Sequence, residues 1–316
     1  MRLVIGVFAL AFLVACGENP PAASTPSSSA SASSTCRLPF LARVAPDKWT
    51  AGFLDYPAGT FTADPSAPPN PGYYDRVVSR WLPVGRNAVA PDGRHYAYMS
   101  GGMGLTPGPP RLHVVDAATG VEKVLPLALS DQQPYGVEEY ASDGIYVGSG
   151  WEGVTFGRWR VDPTNGALTD FSRQEHFLDD GTGHAWVSML NPDDPHPVRS
   201  AMSGDPMPNE VGRRDLKTGT VEIWFYHPGF SVAVAGAFVG GGILAWVEPP
   251  LGGHHEYWLV TSPGLARLVA QIDTGGAVAD SHGIWMGSTE GLYLFTPDGS
   301  AKKVSSELGD SVGECL

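Results

Sequence analysis

APDGRHYAYMS (90–100) followed by RLHVVDAATGVEKVLPL (111–127) is the stretch on which the fold turns. The first piece is a turn, Pro91-Asp92-Gly93, that opens into alternating side chains, the two-residue period of a half-buried strand. The second reads strand, turn, strand, with β-branched residues on both sides of Asp116-to-Gly120. A tight hairpin turn needs a residue at positive φ, which is the work of Gly120. Asp116 reads as a cap whose carboxylate ties the same turn.

Working outward, the same grammar returns four more times. It appears as ASDGIYVGSG (141–150) with FGRWRVDPTNGALTDF (156–171), and as EVGRRDLKTGTVEIWFY (210–226). It appears again as GGILAWVEP (241–249) with EYWLVTSPGLARLVA (256–270), and as SHGIWMGS (281–288) with GLYLFTPDGSAKKV (291–304). The turn glycines Gly120, Gly166, Gly219, Gly264 and Gly299 are 46, 53, 45 and 35 residues apart, intervals that bracket one four-stranded propeller blade. Asp162, Asp215 and Asp298 stand beside these turns as Asp116 does, as punctuation and not as catalytic groups.

Composition agrees. Forty Gly, 28 Pro and 9 Trp, with little unbroken helical period, indicate an all-β protein rich in tight turns. Residues 49–65 and 73–84 have strand character enough for a further blade, with its missing strand supplied by the C-terminus. The expectation is a β-propeller over residues 36–316, of six blades, or alternatively seven, with first and last strands latched together. APDGRHYAYMS…LHVVDAATG resembles the repeat of TolB-type and related WD-like β-propellers, with Ala90 where that family has Ser. The resemblance is good over one blade, partial in ASDGIYVG and TPDG, and poor over 174–209. It implies the fold; propellers serve as binding scaffolds and as enzymes alike.

The N-terminus speaks to location. Arg2 and the apolar run Leu3–Val14 form a secretory signal too short to span a bilayer permanently. Leu13-Val14-Ala15-Cys16 resembles the lipobox of bacterial lipoproteins. That resemblance implies removal of residues 1–15 as a signal peptide and lipidation of Cys16. Residues 17–35 are almost entirely Ser, Ala, Pro and Thr, so 16–35 reads as a lipidated cysteine on a disordered tether. The place expected is the bacterial cell envelope outside the cytoplasm, with the membrane reached only through the lipid. With Cys16 lipidated, Cys36 and Cys315 remain, either as two free thiols or as a disulfide that closes the ring.

Counting 20 Lys and Arg against 33 Asp and Glu, the chain carries a formal net charge of −13, which argues against a nucleic-acid partner. The loops joining second to third strands are long and dissimilar: 101–110, 150–154, 205–209, 249–255 and 288–291. Irregular loops on a rigid scaffold are where binding residues gather. Met103, Trp151, Glu152, His254, His255 and Glu290 are the candidate ligand-binding side chains there. Glu138-Glu139 should turn one carboxylate to the channel. DDGTGHAW (179–186) resembles the Asp-box of sialidases, with Leu178 in place of its Ser. Asp193, Asp194 and His196 could hold calcium, the one cofactor considered. There is no GxSxG elbow, HExxH, phosphate-binding loop or CxxCH. The expectation is a binding or scaffold module for an envelope protein or glycan, more a binder than an enzyme. The rival is a propeller enzyme at the channel mouth, a metal-dependent lactonase-like hydrolase or a lyase.

Overall fold

The turn glycines sit where the hairpins need them, with φ of 74° at Gly120 and 75° at Gly219. The computed structural model describes residues 35–103, 108–151, 154–171, 176–199, 204, 206–249 and 253–316. The signal segment, Cys16 and the tether up to residue 34 lie outside the described residues.

In chain order the first strands are β1 (Cys36–Ala45), β2 (Lys48–Tyr56), β3 (Thr60–Ala63), β4 (Tyr73–Asp75) and β5 (Arg80–Leu82). A 3₁₀ turn, Arg86–Ala88, leads to β6 (His95–Gly102), β7 (Gly108–Asp116) and β8 (Glu122–Pro126). Next come β9 (Tyr135–Ala141), β10 (Gly144–Trp151), β11 (Val154–Val161) and β12 (Leu168–Phe171). They are followed by β13 (His176–Asp179), β14 (His184–Met189), β15 (Glu210–Asp215) and β16 (Val221–Tyr226). Then come β17 (Ser231–Ala237), β18 (Ile243–Glu248), β19 (Glu256–Ser262) and β20 (Leu265–Gln271). The chain ends with β21 (Thr274–Asp280), β22 (Gly283–Ser288), β23 (Gly291–Phe295), β24 (Ala301–Ser305) and β25 (Gly309–Ser311). No α-helix occurs among the described residues.

Strands β9–β12, β13–β16, β17–β20 and β21–β24 each form a four-stranded antiparallel sheet in sequence order. β6–β8 form a three-stranded sheet, extended at its inner edge by a single bridge from Val89 to Tyr96. The remaining four-stranded sheet runs β25-β1-β2-β3, so the last strand of the chain is hydrogen-bonded to the first, Leu41 opposite Asp310.

Apolar clusters join each sheet to the next. Leu112 and Leu125 pack with Ile145 and Val147, and Tyr146 packs with Ala185 and Val187. Trp186 and Phe225 pack with Ile243, and Leu244 and Tyr257 with Ile284 and Phe295. Trp285 and Leu294 pack with Leu38 and Phe40. The circuit closes through the β4–β5 hairpin, where Trp81 packs on Ala51 and Phe53 while Tyr73 and Leu82 pack on Tyr96 and Val115. A closed ring of radially packed sheets is a β-propeller.

Two parts of the seam differ from the sequence expectation. Residues 73–84 do not belong to the first sheet; they form β4 and β5, a separate two-stranded sheet. Their place is taken by CRLPFLARVA (36–45), whose buried positions Leu38, Phe40 and Ala42 alternate as a strand should, although Pro39 interrupts the pattern. Cys36 and Cys315 are disulfide-bonded, with Cα atoms 5.6 Å apart. The backbone N–H of Cys315 donates to the buried Asp280 carboxylate at 3.0 Å, tying the seam to β21.

Candidate functional site

The first strands β9, β13, β17, β21 and β25 converge on one cavity of about 600 Å³. Its lining comes from the later residues of those strands and from the connections that follow them, such as Asp180-Gly181 and Phe238-Val239. It therefore lies toward the end of the ring that carries the first-to-second connections. Leu178, Phe238 and Val278 give it apolar wall; Arg86, Glu139, Asp179, Asp180 and Asp310 give it ionisable groups.

The carboxylates are not equivalent. Asp179 accepts hydrogen bonds from the N–H and Oγ of Ser142, both at 2.7 Å, and from the N–H of Gly181 at 2.8 Å. Asp180 accepts from Arg213 Nη2 at 2.7 Å and from the Thr182 N–H at 2.8 Å. Burial pushes the Asp180 carboxyl up, yet the Thr182 and Arg213 hydrogen bonds win and hold it below the usual range. Glu139 has a weaker set, with the Asp179 backbone N–H as its hydrogen-bond partner. It is 7% exposed, and burial raises its carboxyl to about 8 against the pull of Arg86, so it is neutral at pH 7. Burial also raises Asp310, opposed by the Gly276 N–H. The proton-bearing Glu139 carboxyl and the Arg86 guanidinium can donate to a ligand's oxygens, beside an apolar wall.

Neighbouring Glu138 is paired with Arg158 inside the sheet. The pair splits at a bulge, where Tyr146 faces Glu139 and Val147 faces Val137. Arg86 is placed by the 3₁₀ turn, which Asn87 pins to β9 by donating to the carbonyls of Val137 and Glu138.

Of the expected loop residues whose side chains are described, Met103, His254, His255 and Glu290, none lines this cavity. Their loops do join second to third strands, as read, and these leave from the opposite end of the sheets. Met103 is exposed, its N–H bound to the Gln133 carbonyl. Trp151 ends β10 with its backbone paired to Val154. The side chain of Trp151 and all of Glu152 lie outside the described residues. His254 is exposed and meets Asp273 at 3.3 Å, while the His255 ring packs edge-on against Trp246. Glu290 accepts from Tyr293 Oη at 3.0 Å within its own hairpin. Asp273 lines a second pocket of about 280 Å³, with Arg43, Trp49 and Asp310, so Asp310 borders both spaces. Asp194 is buried and accepts from the Asn209 amide and the His196 N–H, while the Asp193 N–H donates to Asn191. Among the described residues, the one group of three His, Cys, Asp or Glu ligand atoms within 4.8 Å is Cys36, His282 and Cys315, and its sulfurs are joined to each other.

Sequence reasoning missed Arg86 and Asp310. Arg86 lies in a turn with no repeat signature, and Asp310 lies on a three-residue strand too short to announce itself.

No protein-family model matches the chain, and no curated protein matches it. Among solved structures it is similar to TolB from Acinetobacter baumannii, at 13% identity and a TM-score of 0.45, over 89% of this chain and 65% of that one. It is similar to an acylaminoacyl peptidase from Pyrococcus horikoshii at 14% identity and 0.42, over 85% of this chain and 45% of that one. It is also similar to an oligogalacturonate lyase from Vibrio parahaemolyticus at 11% identity and 0.40, over 87% and 86%. The chain thus spans less than two thirds of the first two proteins.

Proposed function

We propose that this chain is a lipid-anchored, extracytoplasmic six-bladed β-propeller that binds an envelope protein or glycan by seating one projecting group of it in the central cavity. The cavity carries the reading. Its volume of about 600 Å³ falls in the range of roughly 300–1,000 Å³ common to ligand pockets. It also joins apolar wall to two donors, Glu139 and Arg86, with the Asp310 carboxyl beside them. The six blades are the six larger sheets, with the β4–β5 hairpin as a spacer. The anchor rests on Cys16 and its lipobox-like context.

Gly276 offers a clean test. It lines the cavity, its φ is not positive, and a Cβ built there meets nothing within 4 Å. Gly276→Phe should fill the cavity at little cost in stability. Binding to isolated envelope glycan fragments and to envelope proteins should then fall tenfold or more, on the order of 1.4 kcal/mol. Unchanged binding to both overturns the cavity as the site. Cys16→Ser should release the protein from membrane fractions; retention overturns the anchor.

A second reading has its own observation. A carboxyl raised to about 8, as Glu139 is, keeps its proton near neutral pH, the state a general acid needs. This supports a propeller hydrolase or lyase at the same cavity. Turnover of a bound glycan that Glu139→Gln abolishes without weakening binding would select it.

A further inference from the structure

On the sheet β6–β8, away from the cavity, three side chains form a relay that no motif announced. Ser100 Oγ lies 2.7 Å from Nε2 of His113, and Nδ1 of the same ring lies 2.8 Å from Oε1 of Glu122. The roles follow from donor counting. Hydrogen bonds from Tyr98 first, and from His113, hold the Glu122 carboxyl below its usual range, so it is an acceptor only. In the neutral ring Nδ1 then carries the proton, which leaves Nε2 as acceptor and makes the Ser100 hydroxyl the donor. That order, hydroxyl to imidazole to carboxylate, is the arrangement that activates a serine nucleophile.

The surroundings hold the ring in place and leave Ser100 partly exposed. The Tyr98 ring stacks on His113 with centroids 4.4 Å apart and planes 9° apart, and its hydroxyl donates to Glu122 at 2.5 Å. The β4–β5 hairpin covers only the inner part of this sheet face, at Tyr96 and Val115. Tyr98, Glu122 and Val124 beyond it are exposed, and Ser100 is half-buried. Immediately after Ser100 the register shifts, so Gly101 is a bulge residue without a ladder partner. Its φ is 83°, and a Cβ there would come within 2.3 Å of the Pro109 carbonyl, so only glycine fits. The N–H of the residue after the nucleophile is a common oxyanion donor, and here it belongs to that bulge.

We propose that Ser100, His113 and Glu122 form a second functional site, an esterase-type centre for short-chain carboxylic esters. Ser100 Oγ attacks the ester carbonyl while its proton passes to His113 Nε2, and the C–O bond to the alcohol breaks. The alcohol leaves with that proton. Water, deprotonated by His113, then cleaves the acyl-serine and releases the carboxylic acid, returning the proton to Ser100. Glu122 is a positioning residue that acts through His113. Ser100 borders neither of the cavities described above. Among the described residues this face is exposed at Tyr98, Glu122 and Val124, which suits a short acyl group and underlies the short-chain restriction.

The test is labelling of the full-length protein with a fluorophosphonate, in which the Oγ–P bond forms, the P–F bond breaks and fluoride leaves. Mass spectrometry should place the label on Ser100, and the protein should hydrolyse p-nitrophenyl acetate faster than its octanoate. His113→Ala should slow labelling by about 10²-fold or more. Glu122→Gln should slow it as well, and Glu122→Asp should restore part of the rate, a rescue that a purely structural contact would not give. Absence of labelling, a label on another residue, or equal labelling of His113→Ala overturns the proposal.

Discussion

At the rim of the ring, hydrogen bonds from Thr119, Thr164, Thr218 and Thr296 hold Asp116, Asp162, Asp215 and Asp298 below the usual carboxylate range. At the hub, burial drives Glu139 and Asp310 above it. The rim carboxylates accept hydrogen bonds from neighbours two or three residues away in the chain, so each closes its own turn, with distant charges such as Arg267 beside Asp298 adding a smaller pull. The hub acids are surrounded by strands from across the sequence. They carry a desolvation cost that no local partner relieves, which is the signature sought when looking for a working site.

The comparison is broken most severely by opening the hub. Cys36→Ser or Cys315→Ser removes a link between residues separated by 279 positions. The expected loss is on the order of 5 kcal/mol in the chain-entropy treatment, or about 10–20 °C in Tm for a domain of this size. Calorimetry of oxidised protein against either variant checks it. A drop no larger than that of a rim variant would show that β1–β25 pairing closes the ring unaided.

Glu139→Gln sharpens the comparison. A folded-state carboxyl raised to about 8 gives stability that is complete below the unfolded value and lost as pH rises through the folded one. The variant should therefore melt close to the wild type at pH 4 and several degrees above it at pH 9. Parallel Tm curves across that range would mean that Glu139 is solvated and ionised.

The smallest effects are expected at the rim. A Cβ at Gly219 meets nothing, so Gly219→Ala costs backbone strain alone at φ 75°, about 1 kcal/mol. Asp215→Asn acts on the acid side. A depressed folded-state pKa gives stability that is complete above the unfolded value and lost as pH falls through the folded one. The variant should thus show a shallower loss of Tm below pH 4, and an unchanged acid slope would remove Asp215 from its turn.

The same division separates what the sequence disclosed from what it concealed. DAATG, DPTNG and DLKTG were legible because every interaction that makes them a turn is written within five residues. The outer two strands of the three sheets that carry these turns follow from them. The β1 strand was not read, because Pro39 breaks its pattern and its partners include residues at the far end of the chain. Of the cavity, the Glu138-Glu139 pair and the Asp179-Asp180-Gly181 start of DDGTGHAW are legible, but which of the two glutamates faces inward is decided by a bulge that leaves no mark in composition. The His254-His255 and Glu290 loops drew attention by being irregular, yet their side chains are engaged by Asp273, Trp246 and Tyr293 nearby. Ser100, His113 and Glu122 sit on three consecutive strands, at positions that only the register brings together.

The pairing of β25 with β1 covers an edge that is open whenever the last strand is absent. Until β25 arrives, the segment Phe40-Leu41-Ala42 presents an unpaired edge with a row of open amides and carbonyls. Any other copy of the chain in the same condition carries the three-residue strand that fits there. Crowded refolding therefore favours exchange of that strand between molecules, producing intertwined oligomers built from native contacts. Dilution, or prior oxidation of the two cysteines within one chain, directs the strand back to its own ring.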